Sequence, residues 1–357
     1  MGVPETFKAA VMLEEGAQNV VADRSLAPLE KGEVAIKITA TAINPVDWKI
    51  RDYKFLLQKF PAVAGSDAAG EIAAVGPEVS GFAEGDRVFF QGIIGKYDSS
   101  TFQQYCKMPA ALVAKTPENI SDEQASGISL ASIAVLVAFY DKATGHGLTP
   151  PWEEGGRETG KGKAIVILGG SSSVGQYSIQ LAKLSGFSKI VTSSSAAHAE
   201  YLRGLGADVV LDRSKQSEPA DFASAIGDLP LVFVHDAIST KETLMLGVKI
   251  VQATKTKHTH VYETQNNADD EIKKQAAQEP KTSVKPVWGM GSKPELRYLS
   301  EPLWKSLGGE EGYVAKGLYQ PNRPLVIPGG LAAIETALKK NKDGVSGQKV
   351  VIKPFDT

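Results

Sequence analysis

One cysteine, Cys106, stands in 357 residues. A four-cysteine zinc site, a two-cysteine two-histidine site and an intramolecular disulfide are all excluded by count. The five histidines (His146, His198, His235, His258 and His260) form no HExxH motif. Neither sign of charge is in excess. Lys plus Arg (39) minus Asp plus Glu (41) gives −2, which leaves no basic footprint for nucleic acid. No run of about 18 apolar residues is present, so no membrane span is expected. The most apolar stretch, residues 128–140, is short, contains serines and reads as a buried helix. The N-terminus has no basic region followed by an apolar run, so no signal peptide is expected. Gly2 and Thr6 fit the loose N-myristoylation pattern, but Pro4 and Glu5 speak against it. A reducing, cytoplasmic setting is the expectation.

What is present is the composition of a packed protein, 42% hydrophobic and 22% charged, long enough for two domains. The first third reads as β-rich. Residues 34–40 alternate, residues 70–76 and 86–90 form short strands, and glycines at 65, 70, 76, 81 and 85 suit a small bent barrel. A polar loop covers residues 145–163. From Lys163 the pattern changes. Ala164-Ile165-Val166-Ile167-Leu168 is continuously apolar, as in a strand buried on both faces. Val174, Tyr177, Leu181 and Leu184 then recur at helical spacing. Short apolar strands near 190–192, 209–211 and 231–234 alternate with helical segments, which predicts βαβ units and a parallel sheet. Residues 266–281 read as a surface helix, and the C-terminus as strand, helix, strand.

Chemistry enters at Gly169-Gly170-Ser171-Ser172-Ser173-Val174-Gly175, between the buried strand and its helix. Small residues there let the backbone approach a pyrophosphate, and N–H groups at the helix start hold the anion. Gly170, Ser171, Ser172, Ser173 and Val174 are the candidate phosphate contacts. Ser172 replaces the middle glycine of a strict GxGxxG, so order and context carry the reading. The next strand separates the two nicotinamide dinucleotides. An NAD site needs a carboxylate about 20 residues on to hold the ribose 2′-hydroxyl. None occurs from Leu168 to Ala199. Ser193, Ser194 and Ser195, with His198 and Arg213 nearby, suit the 2′-phosphate of NADPH. The same serines would also cap the following helix.

These residues, with Asn44-Pro45-Val46-Asp47-Trp48-Lys49, Pro61-Ala62-Val63-Ala64-Gly65-Ser66-Asp67-Ala68-Ala69-Gly70, Val75-Gly76, Gly85-Asp86-Arg87-Val88, Leu205-Gly206-Ala207-Asp208-Val209-Val210 and Ser346-Gly347-Gln348-Lys349-Val350-Val351, resemble the medium-chain dehydrogenase/reductase superfamily in its zinc-free quinone oxidoreductase and enoyl reductase branch. Within it the chain is most similar to fungal trans-acting enoyl reductases of polyketide synthesis, of the lovastatin enoyl reductase type. The resemblance implies an α/β protein with a GroES-like β-barrel over residues 1–125 and 295–357. A Rossmann doubly wound parallel sheet would take residues 126–294. Zinc-dependent members carry Cys where Val46 stands and Gly-His-Glu where Gly65-Ser66-Asp67 stands, so neither zinc site is expected.

By the same resemblance, Val46, Asp47, Trp48 and Lys49 line the cofactor–substrate cleft, with Ala237, Ile238, Val351 and Ile352 as further cofactor contacts. Lys49 is the candidate to polarise a substrate carbonyl, and Tyr53 a candidate proton donor. Trp288 and Met290 would wall an acyl pocket or pack a core. Asn44 would order its own turn, Asp67 would accept loop N–H groups, His235 would be a bonded core histidine and Cys106 a buried apolar residue. The expected reaction is NADPH-dependent reduction of the double bond of an enone or enoyl thioester. A quinone reductase, or a nucleotide-binding protein without turnover, are the alternatives. A polyketide synthase carrier domain is the partner the resemblance implies, and a monomer is favoured over a homodimer because Pro286 interrupts the edge-strand donors.

Overall fold

The computed structural model describes residues 2–254, 256 and 259–357; His258 lies outside them. The chain divides into two compact units, Met1–Leu130 with Gly291–Thr357, and Ala131–Met290. The first unit opens with β1 (Phe7–Met12), β2 (Asn19–Arg24) and β3 (Glu33–Ala42), then α1 (Pro45–Tyr53). It continues through β4 (Ala62–Val63), β5 (Ala68–Val75), β6 (Arg87–Phe90), β7 (Tyr105–Pro109), β8 (Val113–Lys115) and α2 (Asp122–Ala125). α3 (Ser129–Tyr140) follows.

The second unit then alternates: β9 (Ala164–Leu168), α4 (Ser173–Leu184), β10 (Lys189–Ser194), α5 (Ala199–Leu205), β11 (Val209–Asp212), α6 (Pro219–Ile226), β12 (Leu231–Asp236), α7 (Lys241–Thr254), β13 (His260–Glu263), α8 (Asp270–Ala276) and β14 (Ser283–Pro286). The chain returns to the first unit with α9 (Arg297–Leu307), β15 (Arg323–Val326), α10 (Ile334–Lys342) and β16 (Gln348–Ile352).

In the first unit β1, flanked by β2 and β4, makes a small antiparallel sheet. A larger one runs β15-β16-β3-β5-β6-β8, with β7 on the other side of β3. The close crossing of β3 and β5 depends on Gly70. A Cβ there would lie 2.0 Å from the carbonyl oxygen of Lys37, so no side chain fits. The core beneath combines Ile43, Ile50, Phe102, Ile334, Leu338 and Ile352.

The second unit is a six-stranded parallel sheet in the order β11-β10-β9-β12-β13-β14. All five residues of β9 are fully enclosed, the pattern of a central strand covered on both faces. Strand order reverses between β9 and β12, and ligands bind open α/β sheets at such switch points. α8 is the surface helix expected in residues 266–281. β14 is an edge strand ending in Pro286. The helical stretch Asp122–Tyr140 has the length and apolarity of a membrane span, at a mean hydropathy of 1.3, although no run of 18 apolar residues occurs. Burial of 83% of it marks it as a core helix. Phe139 packs edge-on against Phe233 at 5.0 Å, and the Tyr140 hydroxyl meets Ser185 Oγ at 2.7 Å.

Candidate functional site

In the second unit, β9 is followed by Gly169, whose φ of +77° favours glycine. A Cβ on Gly170 would sit 2.2 Å from Thr192 Oγ1, and one on Gly175 2.2 Å from the carbonyl oxygen of Gly169. The turn therefore closes only with glycine at both places, and it leaves the backbone bare where the helix begins. Ser172 is the N-cap of α4, its Oγ accepting from Gly175 N at 3.0 Å. First-turn N–H groups of a helix lack intrahelical partners and favour an anion. Ser171, Ser172, Ser173 and Val174 are all partly exposed around this turn. The geometry fits a dinucleotide pyrophosphate.

The three serines after β10 do not behave alike. Ser193 Oγ accepts from Gly169 N at 3.3 Å, tying the strand end to the phosphate turn. Ser194 is 2% exposed, with its Oγ enclosed and unpartnered. In a strand successive side chains face opposite ways, and Ser194, the expected 2′-phosphate contact, faces inward where Ser193 and Ser195 are partly exposed. Ser195 and His198 are partly exposed and Arg213 is exposed, its backbone N–H bonding the Ser194 carbonyl at 2.9 Å. At the end of β12, Ala237 N bonds the Leu168 carbonyl at 3.1 Å, and Ile238 lies against Gly169. His235 is enclosed and bonded to Ser178 Oγ at 2.8 Å; burial pulls its pKa down to about 3. It is a neutral core residue. Trp288 is 52% exposed and Met290 partly so, their backbones linked at 2.8 Å.

In the first unit, α1 carries the other candidates. Asp47, expected as a cofactor contact, caps the helix. It is buried, and its Oδ2 accepts from Asn44 N at 2.7 Å. Desolvation raises its pKa to about 7. Asn44 does more than order its turn. Its Nδ2 donates to Asp67 Oδ2 (3.1 Å) and its Oδ1 accepts from Lys349 Nζ (2.6 Å). Asp67 also accepts from Leu130 N (2.9 Å) and pairs with Lys349 at 3.3 Å.

Sequence reading missed Lys349, although a lysine inside the apolar run of β16 was the available signal. Its neighbours Val351 and Ile352 are fully enclosed and paired to β3. Their side chains, expected as cofactor contacts, are enclosed in the barrel core. Cys106 is enclosed and burial pushes its thiol up, away from thiolate chemistry.

Lys49 is half-buried, and desolvation lowers its pKa from the usual lysine value. Its Nζ lies 5.4 Å from the centroid of the Trp48 ring. Trp48 donates its indole N–H to Asn341 Oδ1 at 3.1 Å and meets Tyr53 edge-on at 6.0 Å. Tyr53 is 66% exposed, and Val46 packs partly buried on the core. Among the described residues, no three His, Cys, Asp or Glu side chains gather where they could hold a metal ion. The buried Asp67 already has the Lys349 ammonium beside it. The donor set does not fit zinc.

The alcohol dehydrogenase GroES-like domain family matches residues 30–118. The trans-enoyl reductase himH of Aspergillus japonicus is 30% identical over 325 residues, 90% of this chain and 89% of that protein. The chain belongs to the medium-chain dehydrogenase/reductase superfamily. A 2-methylene-furan-3-one reductase of Solanum lycopersicum is 31% identical over 261 residues, 70% of this chain and 61% of the relative. An alcohol dehydrogenase superfamily protein from Novosphingobium aromaticivorans superposes with a TM-score of 0.74 at 24% identity, covering 97% and 99% of the two chains. The first unit is thus the GroES-like barrel of the superfamily and the second its Rossmann domain. The protein is an oxidoreductase of this type, and a nicotinamide dinucleotide is its cofactor.

Proposed function

We propose that this chain is a zinc-independent, NADPH-dependent reductase of the carbon–carbon double bond of an α,β-unsaturated carbonyl or enoyl thioester. The observation that carries the reading is Lys49, a half-buried ammonium on α1 in a unit whose donor set does not fit a metal. The likeness to a trans-enoyl reductase over nine-tenths of the chain supports it. Bound reduced nicotinamide supplies a hydride. The turn Gly170, Ser171, Ser172, Ser173 and Val174 would hold the pyrophosphate. Ser193, Ser195, His198 and Arg213 would surround the adenosine ribose, with no carboxylate in β10 or the turn after it to repel a 2′-phosphate. Lys49 would hold the substrate carbonyl and stabilise the negative charge that develops on its oxygen. Tyr53 is the candidate to deliver the proton to the α-carbon, and Trp288 and Met290 to contact the acyl portion. A carrier domain of a polyketide synthase is the partner that an enoyl thioester implies.

The test is cofactor consumption against a panel of enoyl thioesters, free enones and quinones, with the product read by mass spectrometry. The expected result is a saturated carbonyl product, with NADPH preferred over NADH by about tenfold or more, the size of one charge-assisted hydrogen bond. Consumption with quinones alone would establish the quinone reductase reading. Binding without turnover would establish a nucleotide-binding protein.

A further inference from the structure

α1 is nine residues long, and Lys49 sits in its middle. Its N-terminal end is fixed by the Asp47 cap and by Asn44. Its C-terminal end runs into Lys54 and Leu56, both with positive φ (53° and 68°), a backbone state that side chains make costly. Between these ends, α10 grips the helix at three positions. Trp48 Nε1 donates to Asn341 Oδ1. Arg51 pairs with Glu335, whose Oε1 also accepts from Asn19 N and Nδ2 at 2.8 Å. Asp52 Oδ2 accepts from Lys342 Nζ at 2.7 Å. Lys342 Nζ also stands 5.3 Å from the Trp48 ring centroid, close to the 5.4 Å of Lys49 Nζ.

The indole is thus an anchored surface. Its N–H is committed to one helix, one cation from that helix rests on it, and Lys49 uses the same ring. A lysine side chain has four free torsions, and a flexible ammonium makes a poor electrophile unless something restricts it. The attraction of a cation to the face of an aromatic ring is enough to select among rotamers.

We propose that Asn341 and Lys342 of α10 are positioning residues for Lys49, acting through the Trp48 ring. This rests on the reading of Lys49 as the group that polarises the carbonyl. Catalysis then depends on a helix that supplies no reacting group, because displacement of an ammonium by about 1 Å is costly to rate.

The experiment compares Asn341→Leu, Lys342→Met and the conservative Asn341→Gln and Lys342→Arg in the full chain. Acylation of Lys49 by a dilute activated acyl ester, read by peptide mass spectrometry against exposed Lys31, reports placement without turnover. Lys49 labelling should rise about threefold in Asn341→Leu and Lys342→Met, and kcat should fall about fivefold with KM for NADPH unchanged. The conservative variants should recover most of both. Asn341→Leu should add little to Lys49→Met, since the two act on one element. Wild-type labelling in both disruptive variants overturns the inference. So does raised labelling with unchanged kcat while Lys49→Met is slow. If Lys49→Met keeps wild-type kcat, the catalytic reading of Lys49 falls, and the labelling ratio alone still decides whether α10 holds its side chain.

Discussion

The two units solve the problem of a buried polar group in opposite ways. The Rossmann unit holds its buried carboxylates, Asp236 and Glu263, at the carboxyl ends of β12 and β13, where backbone N–H groups of the following turns bind them with no buried cation in the hydrogen bonds. The barrel unit places charge inside. Asp67 and Lys349, at 0% and 5% side-chain exposure, share Asn44 between them. One unit can therefore be damaged in function with modest loss of stability, whereas the other couples the two.

Breaking the barrel network should have the largest effect. Lys349→Met leaves Asp67 buried without its cation, and removing one member of a buried pair costs about 3–5 kcal/mol. A thermal melt should show a drop of roughly 10 °C, at about 2–4 °C per kcal/mol for a chain of this size. A melt unchanged within a degree would remove the contrast between the units.

The second test concerns Asp47. Its folded pKa of about 7 lies above the free value of 3.8. Folding therefore takes up a proton between those pH values. The contribution of the neutral carboxyl is fully present below about pH 4 and is lost as pH rises through about 7. Asp47→Asn keeps an acceptor for Asn44 N and cannot ionise. Relative to wild type it should gain about 2–4 kcal/mol between pH 4 and pH 8, at about 1.4 kcal/mol per pKa unit. Parallel stability–pH curves for the two proteins would refute the assignment.

The smallest stability effect belongs to the Rossmann unit. Gly175→Ala must move the Gly169 carbonyl and reshape the phosphate turn. It should cost about 1–3 kcal/mol in stability yet weaken NADPH by about tenfold or more in a fluorescence titration. Unchanged affinity would separate the turn from cofactor binding.

The same contrast governed what could be read without coordinates. β9, α4 and β10 follow one another along the chain, and each has a local period, so both the sheet and the phosphate turn were legible. Face direction within β10 was not, because three adjacent serines look alike until the strand register turns Ser194 inward. In the barrel, the turn at Asn44 and the glycines were visible, whereas the partner of Asp67 was not. Lys349 lies far along the chain, and no spacing rule links the two. β1 and β2 carried no period of their own, and β13 is four residues beside charged neighbours. Their pairing is imposed by the sheets they join. Asn341 and Lys342 close the polar C-terminal end of α10, and only the fold brings them onto Trp48.

α3 carries a consequence for how the protein is made. Its apolar face is complete as soon as Tyr140 leaves the ribosome, but Phe233 and Ser185, which cover its end, are synthesised much later. During that interval the nascent chain displays a segment with the hydropathy of a membrane anchor. Its safe passage depends on chaperone cover or on early collapse of the barrel strands already made. Slowing translation once Tyr140 has left the ribosome should therefore raise aggregation of newly made chains more than the same pause placed once Phe233 has left it.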